Sequence, residues 1–223
     1  MDAVIFDCDG VLVDSEIIAL RVELKALADI GLVYDDHHAF AERFLGQTHA
    51  AFHAELDKDH RERLGAPLPE GFGSRLVDMI WAEMSEFTEA VPGVHNAVAG
   101  VTVPVAVASS SGLAHIKHKL RRAGLFETFD PHIYSGELVP RGKPFPDIYL
   151  HATSQLGIHP KQCVAVEDSV NGVKAAVAAG MTAIGFVGGG HCSPRLGGKL
   201  SDAGAKEVAR DMHDLARILR GAL

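Results

Sequence analysis

Cysteine is scarce in this chain of 223 residues, with only Cys8, Cys163 and Cys192 present. An odd, scattered set with no CxxC pair excludes a disulfide framework and a cysteine-built zinc knuckle. Long hydrophobic runs are also missing, and no stretch approaches the ~18 uninterrupted apolar residues of a membrane helix. The opening apolar run from Met1 to Phe6 is broken at once by Asp7 and Asp9. It is too short for a signal peptide and lacks a basic flank. A soluble protein of the reducing cytoplasm is expected, with no membrane partner. Positive charge is in deficit, because 21 Lys and Arg face 29 Asp and Glu for a net charge of −8. A polyanionic backbone would be repelled, so nucleic acid is excluded as a partner. Aromatic residues make up only 6%, which leaves few platforms for stacking a base.

What is present is an ordinary globular composition, 47% hydrophobic and 22% charged, long enough for a large domain or a domain with an inserted module. Four short apolar runs stand out: Ala3 to Phe6, Val103 to Ala108, Cys163 to Val166 and Thr182 to Val187. They lack polar alternation, which suits strands of a parallel sheet covered on both faces. Leu113 to Ala123 and Val170 to Ala179 show helical spacing and end at Gly124 and Gly180, in the manner of glycine C-caps. Strand, loop and helix in repetition predict an α/β fold, a Rossmann-like three-layer core around a parallel sheet. Between the first two strands, residues 15–87 contain no strand pattern. Ile17, Leu20, Leu24 and Leu27 up to Gly31, then Phe40 and Phe44 up to Gly46, a third helix after Thr48 and a fourth from about Gly71 predict an inserted all-helical cap domain. Residues 1–14 and 88–223 then form the core, with Pro92 and Gly93 marking the return to it.

In open parallel sheets, ligands bind at the carboxyl ends of the strands. After the first strand stands Asp7-Cys8-Asp9-Gly10, where residues i and i+2 project to one side and Gly10 permits a tight bend. After the second comes Ser109-Ser110-Ser111-Gly112 ahead of a helix, a place that attracts phosphate oxygens but where serine is also a plain helix cap. Gly142-Lys143-Pro144 holds a lysine in a rigid frame. Glu167-Asp168 follows a later strand and presents hard oxygen ligands. Taken singly, these segments also read as an acidic turn, a capped helix and a surface lysine. Their order at successive strand ends distinguishes them from accident.

The segments Asp7-Cys8-Asp9-Gly10-Val11-Leu12-Val13-Asp14-Ser15-Glu16, Gly142-Lys143-Pro144-Phe145-Pro146-Asp147 and Val166-Glu167-Asp168-Ser169 through Ala179-Gly180-Met181 resemble the haloacid-dehalogenase superfamily, in the subgroup of sugar phosphatases and β-phosphoglucomutase-like enzymes with a helical cap. The resemblance implies a phosphoric monoester hydrolase acting on a small phosphorylated metabolite, a sugar or sugar-acid phosphate, through an aspartyl-phosphate. Asp7 would be the nucleophile and Asp9 the acid and base, with Lys143 and Ser109 on the transferring phosphoryl group. Magnesium would be held by the Asp7 carboxylate, the Asp9 main-chain carbonyl and Asp168, with Glu167 assisting. Dehalogenases of the superfamily lack the second aspartate, so Asp9 favours phosphate chemistry. Gly10, Glu16, Ser110 and, in the cap, Gln47, Thr48 and His49 are expected to bind the substrate.

Two rival functions remain at this point. A sugar phosphomutase would place a histidine where Ala19 stands and an arginine where His49 stands. A non-catalytic sugar-phosphate-binding module would be expected to lose the nucleophile first. His49 and His53, four apart, lack a third metal ligand and read as a solvated helix face. Gly188-Gly189-Gly190 before His191-Cys192 reads as a flexible loop, and a monomer or homodimer is expected.

Overall fold

In a computed structural model, residues 1–44 and 49–222 are described. Strand β1 (Ala3–Phe6) leads into four helices, α1 (Ser15–Asp29), α2 (His37–Phe44), α3 (His49–Leu64) and α4 (Phe72–Phe87). The chain then runs through α5 (Val94–Ala99), β2 (Val105–Ser109), α6 (Leu113–Arg122), α7 (Phe126–Phe129) and β3 (Ile133–Ser135). It continues as α8 (Asp147–Leu156), β4 (Cys163–Glu167), α9 (Val170–Ala178), β5 (Thr182–Phe186), α10 (Leu196–Asp202), β6 (Glu207–Ala209) and α11 (Met212–Ala222).

The six strands form one sheet in the order β3-β2-β1-β4-β5-β6, and every adjacent pair is parallel. All four expected strands are present. The second begins at Val105, after Pro104, because proline cannot donate to the ladder. β3 and β6 were not expected. Each is three residues long and lies at an edge of the sheet, too short to show an apolar pattern.

The sheet alternates between two cores. Val4, Phe6, Val107, Val164 and Val166 face one layer with α5, α6 and α11. Ala3, Ile5, Ala106, Ala108 and Ala165 face the other, packed by Ile148 and Tyr149 of α8 and by Val173, Ala175 and Ala176 of α9. Small residues on the second face let these helices approach closely. Gly124 and Gly180 take φ of +67° and +84°, the left-handed turn that ends a helix at little cost for glycine alone. A third cluster is drawn wholly from residues 17–80, with Leu27, Leu32, Phe40, Phe44, Leu56, Phe72 and Leu76 buried together. Burying each such side chain stabilises the helical insert by roughly 1.5–3 kcal/mol. Among the described residues no helix is long and apolar enough to cross a membrane.

Candidate active site

The strand order reverses between β1 and β4, the two central strands, and a crevice opens there beyond their carboxyl ends. Phe6 pairs with Val166, and the Asp7 N–H donates to the Val166 carbonyl at 2.9 Å. This register brings Asp7 beside Glu167 and Asp168, with carboxylate oxygens of all three lying within 4.8 Å of one another. Lys143 answers them with its three ammonium protons, donated to Asp7 Oδ1 at 2.8 Å, Glu167 Oε1 at 2.5 Å and the Ala108 carbonyl at 2.9 Å.

One ammonium does not neutralise three buried carboxyls. Burial raises the Asp7 carboxyl; Lys143 lowers it, while Glu167, Asp168 and Asp9 push it up again, and the result lies well above the carboxylate range. A hard divalent cation fits this deficit, since all the available donors are oxygens and buried. Asp7 and Asp168 are the better placed to hold it. Both oxygens of Glu167 are engaged, Oε1 by Lys143 and by the Tyr149 hydroxyl at 2.5 Å, and Oε2 by the Ser169 hydroxyl at 3.1 Å. A side chain at Gly172 would lie 1.9 Å from the Glu167 carboxyl, so the glycine makes room for it.

Asp9 belongs to a different network. Its carboxylate accepts from Lys119 and Ser15, from the Ser111 hydroxyl at 2.8 Å and from Ser109 Oγ at 3.3 Å. Burial pushes this carboxyl up, but the Lys119 ammonium and the hydrogen bonds outweigh it and bring it to about 2. The two aspartates thus border one cleft, as their spacing suggested, yet each has its own lysine.

Gly10 takes φ +74°, and a side chain there would sit 1.8 Å from Asp168 Oδ2 and 2.7 Å from His191. Its role in the structure is to admit Asp168 and His191; it is not among the described residues lining the cleft. Ser109 is buried and Ser110 is exposed at the rim. The start of α6 is less open to an anion than its serines suggest, because Glu137 Oε2 already accepts the Leu113 N–H at 3.0 Å. Glu16 borders the cleft from α1. Gln47 and Thr48 lie outside the described residues, as does the side chain of His49. His53 is exposed and borders the cleft.

Sequence reasoning missed Lys119, Tyr149 and His191. Lys119 carried a signal, since it lies three residues after Ile116 and four before Ala123, both buried, so helical spacing puts a cation on the apolar face of α6. The glycine run before His191 is folded against the first motif, contrary to the expected flexible loop. The Gly190 N–H donates to the Asp14 carboxylate at 3.0 and 3.2 Å, and His191 Nε2 lies 3.2 Å from Asp168 Oδ2. Burial lowers the His191 imidazole, but the Asp168 partner more than reverses this and raises it to about 11.

Above these groups the cleft has a volume of about 1190 Å³, roofed by α1 and α4 and apolar residues such as Phe52 and Leu56. Such a volume accommodates a small metabolite.

Among known proteins, the chain is 28% identical to the 6-phosphogluconate phosphatase of Escherichia coli over 205 residues, covering 87% of this chain and 86% of that one. It is 32% identical to hexitol phosphatase B of Escherichia coli over 188 residues, covering 82% of each. The crystal structure of a conserved haloacid dehalogenase-like protein of unknown function from Agrobacterium tumefaciens superposes with a TM-score of 0.91 at 37% identity, over 99% of this chain and 98% of that one. The family model of the haloacid dehalogenase-like hydrolases matches residues 1–180, and with Asp7, Lys143 and Asp168 gathered at the sheet's switch point, the chain belongs to that family.

Proposed function

We propose that this hydrolase is a magnesium-dependent phosphatase that releases phosphate from a small phosphorylated metabolite, a sugar or sugar-acid phosphate, through an aspartyl-phosphate on Asp7. The observation that carries this reading is the juxtaposition, under a helical roof, of a buried Asp7 fixed by Lys143 and a second aspartate held apart by Lys119. An Asp7 oxygen attacks phosphorus as the bond to the leaving oxygen breaks, and the Asp9 carboxyl gives that oxygen its proton. Asp9 then takes a proton from the water that attacks the aspartyl-phosphate, which frees inorganic phosphate and restores Asp7. The carboxylate held low by Lys119 is the base form. It becomes the acid form by taking up one proton from solvent as the leaving oxygen displaces Lys119 from its side. Lys143 and Ser109 hold the phosphoryl oxygens, whose charge peaks in the transition state. Asp7, Asp168 and the Asp9 carbonyl would hold magnesium, with Glu167 behind them, and the ion would supply the positive charge that Lys143 and His191 leave short against three carboxyls.

Hydrolysis is favoured over a phosphomutase by Ala19, whose methyl borders the cleft where the mutase pattern has a histidine. The names of the two curated relatives support a phosphorylated carbohydrate as substrate. The test is a panel of phosphorylated metabolites scored for released phosphate with magnesium present. Small carbohydrate phosphates should lead in kcat/KM; a nucleotide leading by tenfold would overturn the substrate class, and a hexose 1-phosphate converted to its 6-phosphate would favour the mutase.

A further inference from the structure

Among the described residues, every acid bordering the cleft has a cationic partner except two. Asp7 has Lys143, Asp9 has Lys119, Asp168 has His191 and Glu42 has Arg195 at 3.7 Å. Among the described residues, Glu16 and Glu23 have neither a hydrogen bond nor an ion pair, although both are half-buried and line the cleft. They lie seven residues apart on α1, and so on one face about two turns apart. Ala19 stands between them and leaves the space in front of that face open. Glu16 is near enough to Asp9 and Asp168 to feel both charges, whereas Glu23 feels Glu16 and no catalytic group. The helix therefore leads away from the leaving-group oxygen with an acid at each step. Burial, and next the neighbouring acids, raise Glu16 to about 7 against the opposing pull of His191 and Lys119, and burial with Glu16 raises Glu23 to about 8.

On the phosphatase reading above, we infer that Glu16 and Glu23 select an uncharged leaving group rich in hydroxyls and disfavour one that ends in a carboxylate. Hydroxyls donate to carboxylate oxygens and supply the partners both residues lack. A substrate carboxylate on the same path meets two acids, while Lys119, Lys143 and His191 are held by Asp9, Asp7 and Asp168 and Lys199 borders the cleft from α10. At separations of several ångströms in a half-buried cleft, one such encounter costs about tenfold or more in affinity. The two residues thus narrow the substrate class from carbohydrate phosphates at large to those of neutral sugars and polyols.

The test uses glucitol 6-phosphate and 6-phosphogluconate, which share their carbon stereochemistry and differ only at the end remote from phosphate. The wild type, E16Q and E23Q are compared by kcat/KM at about pH 9, above the range to which burial raises the two carboxyls. The wild type is expected to favour glucitol 6-phosphate by about tenfold or more. Each glutamine, equal in size but unable to ionise, should narrow that ratio at least about threefold, chiefly by improving 6-phosphogluconate. A wild-type ratio near unity or reversed overturns the inference, as does a ratio unchanged in the variants that fold. Turnover of p-nitrophenyl phosphate by the wild type separates the two levels: if it occurs with the wrong ratio, only the inference falls. If none of the three compounds is hydrolysed, the phosphatase reading fails and takes the inference with it.

Discussion

Replacing Lys119 with methionine keeps most of the side chain's length and removes its charge. The Lys119 side chain is 3% exposed and that of Asp9 14%, so water cannot take over the lost interaction. Holding the Asp9 carboxyl at about 2, against its ordinary 3.8, amounts to about 2.4 kcal/mol of preference for the ionised form. Breaking a buried pair costs more than this, typically about 3–5 kcal/mol, because the remaining charge is left uncompensated. The expected loss for K119M is about 3 kcal/mol at pH 7. For a chain of this size that is a fall in Tm of roughly 6–12 °C. The pH dependence follows from the direction of the shift. A depressed carboxyl contributes stability that is present above pH 3.8 and is lost as pH falls toward about 2. In K119M burial is opposed only by hydrogen bonds such as those from Ser15 and Ser111 and raises the carboxyl relative to the wild type, so its cost is felt at neutral pH and relieved in acid. The stability gap between the two proteins, read by urea titration, should therefore be widest near neutrality and narrow as the pH is lowered. Activity should fall as well, since an Asp9 that binds its proton tightly is a poor base. A variant that melts within about 2 °C of the wild type at pH 7 would refute the buried pair.

D7N should abolish turnover while leaving the circular dichroism spectrum and thermal melt nearly unchanged, because the amide is a poor nucleophile but fills the same volume, relieves a crowded set of buried acids and leaves Lys143 paired with Glu167; activity equal to wild type would refute the assignment of Asp7. G10A should cost about 2–4 kcal/mol and lower Tm, since it combines a φ of +74° with a methyl 1.8 Å from Asp168 Oδ2; an unchanged melt would mean that the approach of Asp168 is not fixed. Removing divalent cations with a chelator should stop hydrolysis, and magnesium should restore it and raise Tm by binding the folded carboxylates. Full activity in excess chelator would exclude the metal from the reaction.

Much of the molecule was legible because its signals are local. β1, β4 and β5 are continuous apolar runs, which a doubly covered sheet requires, and the helices after β2 and β4 end on glycines that take the left-handed turn. The all-helical stretch between β1 and β2 carries its own apolar periodicity and packs on itself. The strand-end rule singled out Asp7, Ser109 and the Glu167-Asp168 pair before any of them had a place in space, and Lys143 stood out by its rigid frame. The edge strands β3 and β6 were silent, because three residues offer no pattern and their pairing comes from a neighbour already in the sheet.

By itself, then, the sequence determined the α/β class, the helical insert and the carboxylates, serine and lysine of the crevice, since each depends on residues adjacent along the chain. Only the tertiary structure decided how the charges are shared. Lys119 reaches Asp9 across 110 positions, Lys143 reaches Asp7 across 136, Tyr149 caps Glu167 from another helix, and a glycine run delivers His191 to Asp168. Which acid meets which base depends on side-chain directions and burial, and neither is written in local spacing. The same holds for Glu16 and Glu23: helical periodicity places them on one face, but that this face borders the cleft, with no ion pair to either residue among the described residues, follows only from packing the helices over the sheet.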